Sequence, residues 1–287
     1  MKDFSFIVLT YNHDKYIVEC LKSIVDLVLN FGDGIDIDLI VADDHSADNT
    51  VKVVENWIEN NRLYFRSCIL LRTSENMGVV RNLLNAIDHC KTVDLKFIGG
   101  DDKFISSMNL FELFDKVVYK FNKPQLTITP IVTFGEGNNE AIEKEYRVRF
   151  RVVEDCYNSG KLRSNLKNGN IILAPGVFIP KDFLVDKELR KFLLRFRNIE
   201  DYPMWYYMIV IKNYDVCVYP KSFVQYRIGS GMSTNKKHTK KSNFNLESKY
   251  MNKLLHARNY ILPKYINPFR YLSKFLELKA IHEINKQ

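Results

Sequence analysis

Short apolar runs alternate with amphipathic segments over the first 130 residues of the chain. The apolar runs have the length of buried strands and lie at 4–10, 37–42, 67–72 and 95–99. The segments between them repeat apolar residues at helical spacing, at 14–29, 51–58 and 78–90. Strands that alternate with helices of this length predict βαβ units and a parallel sheet that is covered on both faces. We therefore expect an α/β fold.

A polar cluster follows each of the four predicted strands. In chain order the clusters read TYNHD, DDHSADN, TSENMG and GGDD. Parallel sheets bind their ligands beyond the carboxyl ends of the strands, where these loops begin. The four clusters are therefore expected to meet at one edge of the sheet.

The pattern loosens beyond residue 134. We expect a helix at 108–121, one strand at 125–134 and another at 145–153, where EYRVRFRVV alternates apolar and polar residues. A helical segment is predicted at 198–211, followed by two strands in YDVCVYP and FVQYRIG.

Composition restricts the class of protein. The chain of 287 residues is 46% hydrophobic and 26% charged, as in folded globular proteins, and no apolar run approaches the ~20 residues of a membrane-spanning helix. The N-terminal residues predict a strand rather than a signal peptide. The five cysteines are widely spaced and form no CxxC pair, which favours the reducing cytoplasm and disfavours a disulfide framework or structural zinc.

The positive charge is concentrated at the C-terminus. Residues 236–287 hold 12 Lys and Arg against 3 Glu, so the whole net charge of +8 arises there. The pattern predicts a basic helical extension that packs on the main domain, forms a homodimer, or contacts anionic lipid headgroups as a peripheral membrane segment. Binding to nucleic acid is disfavoured, because no basic surface interleaved with aromatic residues is present.

Two pairs of acids follow predicted strands. Asp43 and Asp44 suit either the N-cap of a helix or a carboxylate that hydrogen-bonds the base or ribose of a nucleotide. Asp101 and Asp102 suit either a solvated turn or a cation site. Neither GxGxxG nor GxxxxGK[ST] is present, which argues against a dinucleotide fold and a P-loop.

Four segments together resemble the nucleotide-sugar half of the family 2 glycosyltransferases, which have the GT-A fold. They are FSFIVLTYNHDKYIVECLKSI, DLIVADDHSADNTV, SENMGVVRNLLNAI and FIGGDDKF, in the order and at the intervals of the family. Further along, IEDYPMWYYMI and YRIGSGMS resemble the Glu-Asp segment before the acceptor-side helix and the closing segment of the family.

The resemblance implies donor-binding residues. Those matching the nucleotide-sugar contacts of the family are Thr10, Tyr11, Asn12, Asp43, Asp44 and Arg81. Of these, Asp43 matches the carboxylate on the uracil or ribose, and Arg81 matches a basic residue near the base and phosphates. UDP is the expected nucleotide, by its frequency in the family.

The resemblance also implies a cofactor and a base. Asp101 and Asp102 match the DxD-like element that holds Mn²⁺ or Mg²⁺ on the donor diphosphate, and Asp102 is the favoured ligand. Mn²⁺ and Mg²⁺ take carboxylate and phosphate oxygens together, so two protein ligands suffice. Asp201 matches the general base, with Glu200 beside it to raise its pKa.

The chain departs from the family pattern at two places. Gly99 stands where the family usually has a further acid, and RIGSGMS lacks the histidine of many relatives. Arg227 and Ser230 are expected to take the phosphate role, with His238 as a distant substitute. His13 is expected to be solvated. Tyr202, Trp205 and Tyr206 suit either a sugar-binding wall or the core.

These observations predict a nucleotide-sugar half at 1–134, an acceptor half at 135–235 and the basic extension at 236–287. The expected activity is an inverting, metal-dependent transfer from a nucleotide sugar to a glycan or lipid-linked acceptor in bacterial surface polysaccharide synthesis. Two alternatives remain open at this point. One is a non-catalytic relative that binds glycan or nucleotide sugar, and the other is a sugar-nucleotide nucleotidyltransferase.

Overall fold

The computed structural model of the chain describes residues 3–118, 124–230, 247 and 249–251, and a four-stranded parallel sheet lies at its centre. Its strands are β1 (Asp3–Thr10), β2 (Asp36–Asp43), β3 (Ser67–Arg72) and β4 (Asp94–Gly99), in the order β3-β2-β1-β4. The connections carry α1 (Ile17–Phe31), α2 (Thr50–Asn61) and α3 (Val79–His89). The predicted βαβ units and α/β class are confirmed.

The central strand β1 is buried on both faces because its side chains alternate between two apolar cores. Phe4, Phe6 and Val8 pack with α1 in one core, and Ile7 and Leu9 pack with α3 in the other. All five side chains are at most 9% exposed. An apolar side chain at every one of these positions is what a strand covered on both faces requires.

The strand ends align at one edge of the sheet. Thr10 of β1 is in register with Asp43 of β2, and Asp43 is in register with Arg72 of β3. On the other side of β1, Leu9 is in register with Gly99 of β4. The loops that follow these strands therefore begin side by side, as the pattern of polar clusters predicts.

Two small sheets and a set of helices follow the central sheet. The strands are β5 (Lys103–Phe104), β6 (Leu126–Ile128), β7 (Val132–Phe134), β8 (Val177–Phe178), β9 (Val216–Val218) and β10 (Val224–Arg227). They form the sheets β5-β10-β7 and β8-β6-β9. The helices are α4 (Leu110–Leu113), α5 (Glu140–Asn158), α6 (Leu162–Leu166), α7 (Lys181–Leu184), α8 (Lys187–Leu193) and α9 (Asp201–Trp205). Wider π-helical turns extend α4 to Val118 and α9 to Ile211.

The prediction of a strand at 145–153 is wrong, because this segment lies inside the 19-residue helix α5. The Asn139 side chain caps the helix by accepting a hydrogen bond from the Ile142 N–H. Val148, which a strand would bury on the same face as Tyr146 and Phe150, is 48% exposed. Phe150 and Val153, spaced three apart, pack on the core instead. Tertiary packing therefore selects the helical period from a sequence that also alternates.

The single strand expected at 125–134 is two strands in different sheets. The chain leaves β6 after Ile128, passes Pro130 and enters β7 at Val132. Proline has no N–H for a ladder hydrogen bond, which suits a break between sheets. The boundaries predicted at 134 and 235 stay a prediction, although β10 pairs with β5 and β7 across the first of them.

Most of the basic extension lies outside the described residues, so its predicted contacts and the role of His238 stay predictions. The described part includes Glu247, Tyr250 and Met251, and Met251 is buried. None of the helices in the described part of the chain combines the length and apolar character that a bilayer-spanning helix needs.

Candidate active site

The acidic turn after β4 is the centre of the site. The Gly100 N–H donates to the Leu9 carbonyl, and the Asp102 N–H donates to the Gly99 carbonyl, so the turn is fixed to the end of the sheet. Asp101 and Asp102 are only 8% and 4% exposed. The alternative of a solvated turn is therefore wrong.

The two glycines of the turn lie where a side chain would come too close to neighbouring atoms. A Cβ atom on Gly100 would lie 2.8 Å from Ile17 Cδ1 and 2.9 Å from His13 Nδ1. A Cβ on Gly99 would lie 2.9 Å from Asp101 Oδ1 and 3.5 Å from Asp102 Oδ2. Both carboxylates therefore turn an oxygen toward the space beside Gly99.

Arg227 at the end of β10 and Ser230 just after it form hydrogen bonds with this turn. The Arg227 N–H donates to Asp102 Oδ1 at 2.8 Å, and the Arg227 Nε donates to the Asp101 carbonyl at 2.8 Å. The Ser230 hydroxyl donates to Asp101 Oδ2 at 2.6 Å. Residues that are more than 120 positions apart in the sequence thus meet at one turn.

The guanidinium of Arg227 is held on several sides. It forms an ion pair with Glu19 of α1 and lies 4.6 Å and 4.3 Å from the ring centroids of Tyr16 and Phe134. The guanidinium that was predicted to bind a donor phosphate is therefore already paired with a carboxylate and packed against two rings. In the structure, Arg227 and Ser230 form hydrogen bonds with the acidic turn, and their contact with a phosphate stays a prediction.

Burial and the neighbouring charge of Asp101 raise the pKa of Asp102 well above its usual range. The hydrogen bond from the Arg227 N–H opposes this shift. Two adjacent buried carboxylates with few counter-charges favour either the protonation of one carboxylate or the binding of a cation.

The acidic turn fits a divalent metal as a partial ligand set. Asp101 Oδ1 and Asp102 Oδ2 face the same space, and oxygen is the ligand atom that Mn²⁺ and Mg²⁺ take. No cluster of three or more His, Cys, Asp or Glu side chains placed to hold a metal occurs within the described residues. Diphosphate and water oxygens would therefore have to complete the coordination.

His13 faces the acidic turn, so the expectation that it is solvated is wrong. Its Nδ1 lies 3.3 Å from Thr10 Oγ1, and its Nε2 lies 3.9 Å from Asp101 Oδ1. The side chain is 18% exposed. Thr10 itself is buried beneath it.

The loops after β1 and β2 are joined by hydrogen bonds. The Asn12 N–H donates to the Ser46 hydroxyl at 2.8 Å, and Asn12 Oδ1 accepts from the Ala47 N–H at 2.8 Å. Asn12 has φ +56°, a left-handed conformation that asparagine tolerates better than most residues. The neighbouring Tyr11 is 44% exposed at the rim of this loop.

The carboxylate of Asp43 is 1% exposed and is bound by Ser46 through both its N–H and its hydroxyl. Each carboxylate oxygen keeps further acceptor capacity, so a nucleoside contact stays a prediction. Arg81, the predicted basic residue near the phosphates, is exposed in the first turn of α3.

Asp44 has a structural partner that the sequence did not indicate. Its two oxygens accept 2.7 Å hydrogen bonds from the N–H groups of Met77 and Gly78. The same loop is held from the other side by Arg197, which donates to the carbonyl and side chain of Asn76. Asp44 thus organises the loop between β3 and α3.

The second acid pair lies at the start of α9. The Tyr202 N–H donates to Asp201 Oδ1 at 2.6 Å, and Asn170 Nδ2 donates to Asp201 Oδ2 at 2.8 Å. Burial raises the pKa of Asp201, and burial together with the charge of Asp201 raises the pKa of Glu200. Asn170 and Tyr202 partly offset the shift at Asp201 by stabilising its ionised form.

The segment before this pair is supported by a distant residue. The carboxylate of Glu247 accepts hydrogen bonds from the N–H groups of Arg197 and Asn198 and from the Asn198 side chain. Its negative charge adds to the raised pKa of Glu200. No local motif could have predicted the roles of Glu247 and Asn170, because 31 or more residues separate each of them from its hydrogen-bond partner.

The aromatic residues after Asp201 belong to the core. Tyr202, Trp205 and Tyr206 are at most 6% exposed, and the Tyr202 hydroxyl donates to the Leu166 carbonyl. The core alternative is thus confirmed.

Known proteins share this architecture. A model of glycosyl transferase family 2 matches residues 5–168. A teichoic acid poly(glycerol phosphate) polymerase from Staphylococcus epidermidis is 24% identical over 215 residues, which are 75% of this chain and 26% of that protein. The chain thus spans about a quarter of the length of this curated relative.

Solved structures are similar in fold. TarS 1-349 from S. aureus in complex with UDP has a TM-score of 0.56 at 18% identity, covering 93% of this chain and 67% of that one. The mannosyltransferase PcManGT from Pyrobaculum calidifontis, in complex with GDP-Man and Mn²⁺, has a TM-score of 0.51 at 16% identity, covering 96% and 68%. The family match covers more than half of the chain, so the chain belongs to glycosyl transferase family 2, and it has the GT-A fold.

Proposed function

We propose that the protein is an inverting, metal-dependent glycosyltransferase that moves a sugar from a nucleotide sugar to an acceptor hydroxyl in bacterial surface polysaccharide synthesis. The observation that carries the proposal is the presence of two acid pairs in a family 2 chain, one buried and one half-buried. Asp101 and Asp102 follow a central strand, and Glu200 and Asp201 begin α9. Each pair contains a carboxyl group whose pKa is raised.

Asp201 is the proposed general base. An inverting transfer needs one carboxylate that takes the proton of the acceptor hydroxyl as the oxygen attacks the anomeric carbon. Two hydrogen bonds orient the Asp201 carboxylate, and burial raises its pKa toward the value of a useful base. Attack from the face opposite the diphosphate would convert an α-linked donor into a β-linked product.

Asp101 and Asp102 are the residues that would hold Mn²⁺ or Mg²⁺. A bound divalent cation supplies positive charge that offsets the negative charge of a departing nucleoside diphosphate. The chain itself fixes the two carboxylates through the Ser230 hydroxyl and the Arg227 N–H.

The remaining predicted donor contacts are part of the same proposal. Thr10 and Asp43 end β1 and β2, Tyr11 and Asn12 lie on the loop after β1, and a nucleoside is proposed to bind at this edge of the sheet. Asp44 is proposed to support donor binding indirectly, by fixing the loop between β3 and α3. Arg81 stays the proposed contact to the base or phosphates.

The names of similar proteins support a nucleotide-sugar donor and an acceptor of the bacterial cell wall. UDP accompanies TarS, and GDP-Man with Mn²⁺ accompanies PcManGT. UDP is therefore the first nucleotide to test and GDP the second. The curated relative makes a teichoic acid polymer, which supports a cell-wall glycan or its lipid-linked precursor as the acceptor.

Family membership favours a glycosyltransferase over a nucleotidyltransferase, and the presence of both acid pairs favours it over a non-catalytic relative. A glycosyltransferase releases a nucleoside diphosphate from its donor, whereas a nucleotidyltransferase releases pyrophosphate. Product analysis therefore distinguishes the reactions directly.

The donor side is tested by thermal shift with UDP, GDP, UDP-GlcNAc and GDP-Man, each with Mn²⁺ and with EDTA. A ligand that binds the folded state raises the unfolding temperature. We expect one nucleotide to stabilise the wild type only with metal, and Asp102→Ala to lose this effect. Equal stabilisation with EDTA would rule out the metal role.

The base is tested with Asp201→Asn. This variant keeps the shape of the side chain but has no carboxylate to accept a proton, so we expect donor binding without transfer. Glu200→Gln is the matched variant at the neighbouring acid. Retained transfer by Asp201→Asn would exclude Asp201 as the base.

A further inference from the structure

A carboxylate late in the sequence contacts the segment that carries the second acid pair. We propose that Glu247 is a positioning residue for Asp201, because it fixes the base segment, residues 197–200, which leads directly into α9. The inference rests on the proposed function, in which Asp201 is the base. It identifies residues 247 and 249–251 as an intramolecular partner of the site.

The carboxylate of Glu247 binds the base segment at three points. Its Oε2 accepts hydrogen bonds from the Arg197 N–H at 3.0 Å and from the Asn198 N–H at 2.8 Å. Its Oε1 accepts from Asn198 Nδ2 at 3.0 Å. Successive backbone N–H groups that converge on one point form an anion-binding concavity. Glu247 therefore fills an anion site that the base segment itself forms.

Apolar contacts hold Glu247 at this place. Residues 247 and 249–251 have helical backbone. Met251 is fully buried in the core, and the Tyr250 ring lies 5.8 Å, centroid to centroid, from the ring of Phe196. Positions three and four apart share one face of a helix. Glu247 therefore faces the base segment from the side of its turn that packs on the core.

The base segment has no regular structure of its own. It lies between α8 and α9 and belongs to neither. Phe196 before it and Ile199 within it are 1% and 3% exposed, so apolar packing holds the chain on both sides of the two N–H groups. Removing the Glu247 carboxylate would leave the N–H groups of Arg197 and Asn198 without this partner, directly before the acid pair.

The base segment is also joined to the loop between β3 and α3. The Arg197 guanidinium donates to the carbonyl and side chain of Asn76, and the Arg197 carbonyl accepts from the Val80 N–H at 3.2 Å. Asp44, directly after β2, holds the same loop. The base segment thus connects the edge of the central sheet, where the donor is proposed to bind, with Asp201.

The proposed chemistry makes the position of this segment critical. The base must lie within hydrogen-bond reach of the acceptor hydroxyl while the hydroxyl oxygen faces the anomeric carbon of the donor sugar. A displacement of about 1 Å can lower a rate about a hundredfold, even when its cause is far from the reacting atoms. Glu247 acts through the base segment and not on a substrate. Its loss should therefore lower turnover more than nucleotide binding.

Amide hydrogen exchange of the full chain tests the contact without any substrate. Peptides that cover residues 194–202 report the two N–H groups. In Glu247→Ala we expect these peptides to exchange about tenfold faster than in the wild type, while peptides from β1 and β2 keep their rates. Glu247→Gln keeps an oxygen for the two N–H groups and should restore most of the protection. Lys249→Ala changes an exposed residue of the same turn and should match the wild type.

Turnover separates positioning from a general loss of structure. The donor is whichever of UDP-GlcNAc and GDP-Man stabilises the wild type with Mn²⁺, and release of its nucleoside diphosphate is followed with water and with poly(glycerol phosphate) as acceptors. In Glu247→Ala we expect kcat to fall by about tenfold to a hundredfold, while the KM of the donor stays within about twofold. The kcat of Glu247→Gln should lie between those of Glu247→Ala and the wild type, and Lys249→Ala should be unchanged.

The inference is overturned by wild-type exchange of residues 194–202 in Glu247→Ala, by wild-type kcat in that variant, or by a KM that rises as much as kcat falls. Glu247→Gln keeps the test valid if Glu247→Ala does not fold. Failure of the proposed function is a different result. It appears as a wild type that binds neither nucleotide sugar or releases no nucleoside diphosphate, whereas the exchange rates still measure the Glu247 contact.

Discussion

Asp44 holds Gly78 through a 2.7 Å hydrogen bond from the Gly78 N–H to the Asp44 carboxylate. The other oxygen of Asp44 accepts from Met77, and the carboxylate is 3% exposed. Gly78 contacts Arg197, whose carbonyl accepts from the Val80 N–H. A residue at the edge of the central sheet therefore fixes a loop that reaches the segment before Glu200.

Replacing Asp44 should cost stability before it costs nucleotide binding. In Asp44→Asn one acceptor oxygen becomes an amide NH₂, which leaves a backbone N–H without its partner. Such a group costs about 1–3 kcal/mol of unfolding free energy. Urea unfolding measures the loss. The exposed Asp33→Asn is the control and should stay within about 0.5 kcal/mol of wild type. Equal stabilities of the two variants would contradict the role of Asp44.

Gly78 is constrained by both its conformation and its surroundings. It has φ +86°, and a Cβ there would lie 2.3 Å from Arg197 Cγ and 2.5 Å from the Arg197 carbonyl oxygen. Gly160 has φ +69°, and a Cβ there would meet no atom within 4 Å. Gly160→Ala therefore carries the conformational cost alone, about 1 kcal/mol, and Gly78→Ala should exceed it by a further 1–3 kcal/mol or so. Denaturant midpoints of the two variants test the difference, and similar losses would argue against the close packing.

Asn170 should control the pH dependence of transfer. Its Nδ2 donates to Asp201 Oδ2 and lowers the pKa of Asp201 against the effect of burial. In Asn170→Ala this hydrogen bond is lost, so the pKa of Asp201 should rise and the acid limb of kcat should move to higher pH. The loss of activity should thus be largest at acidic pH and shrink as the pH rises.

The control for this prediction is Asn168→Ala, which changes an exposed asparagine of the same loop. Its pH profile should match that of wild type. A loss in Asn170→Ala that is the same at every pH would indicate a structural effect rather than a change in the base.

Lys96 should make stability depend on pH. Its Nζ donates to the carbonyls of Pro175 and Val177 inside the protein, and burial lowers its pKa from 10.5 to about 7. Between these two values the unfolded chain holds the extra proton, so the free energy of unfolding rises with pH there, by up to about 1.4 kcal/mol per pH unit. Lys96→Met removes the titrating group and should flatten this slope.

Urea unfolding at several pH values between about 7 and 10, the range that the lowered pKa sets, measures the slope. The exposed Lys91→Met removes a lysine from the loop before β4 and should leave the slope as in wild type. Parallel slopes for wild type and Lys96→Met would show that the Lys96 amine does not titrate in this range.

Local patterns were sufficient to predict the central sheet and its helices. Apolar runs and helical spacing predict the four central strands and their helices, because each of these elements buries a continuous face. The alignment of the strand ends follows from parallel topology, so the polar clusters after β1, β2, β3 and β4 were expected to meet. The prediction failed at 145–153, where the letters alternate but the packing of Phe150 and Val153 selects a helix.

The sequence by itself determined the fold class, the family resemblance and the identity of the two acid pairs. These depend on periodicity and on residues that are neighbours in the chain. Only the tertiary structure decided that Asp44 holds a loop, that Arg227 and Ser230 bind the acidic turn, and that His13 faces Asp101. Each of these contacts joins residues far apart in the chain or turns a side chain inward. Burial, hydrogen bonding and charge at such positions arise only when the packed elements bring the partners together.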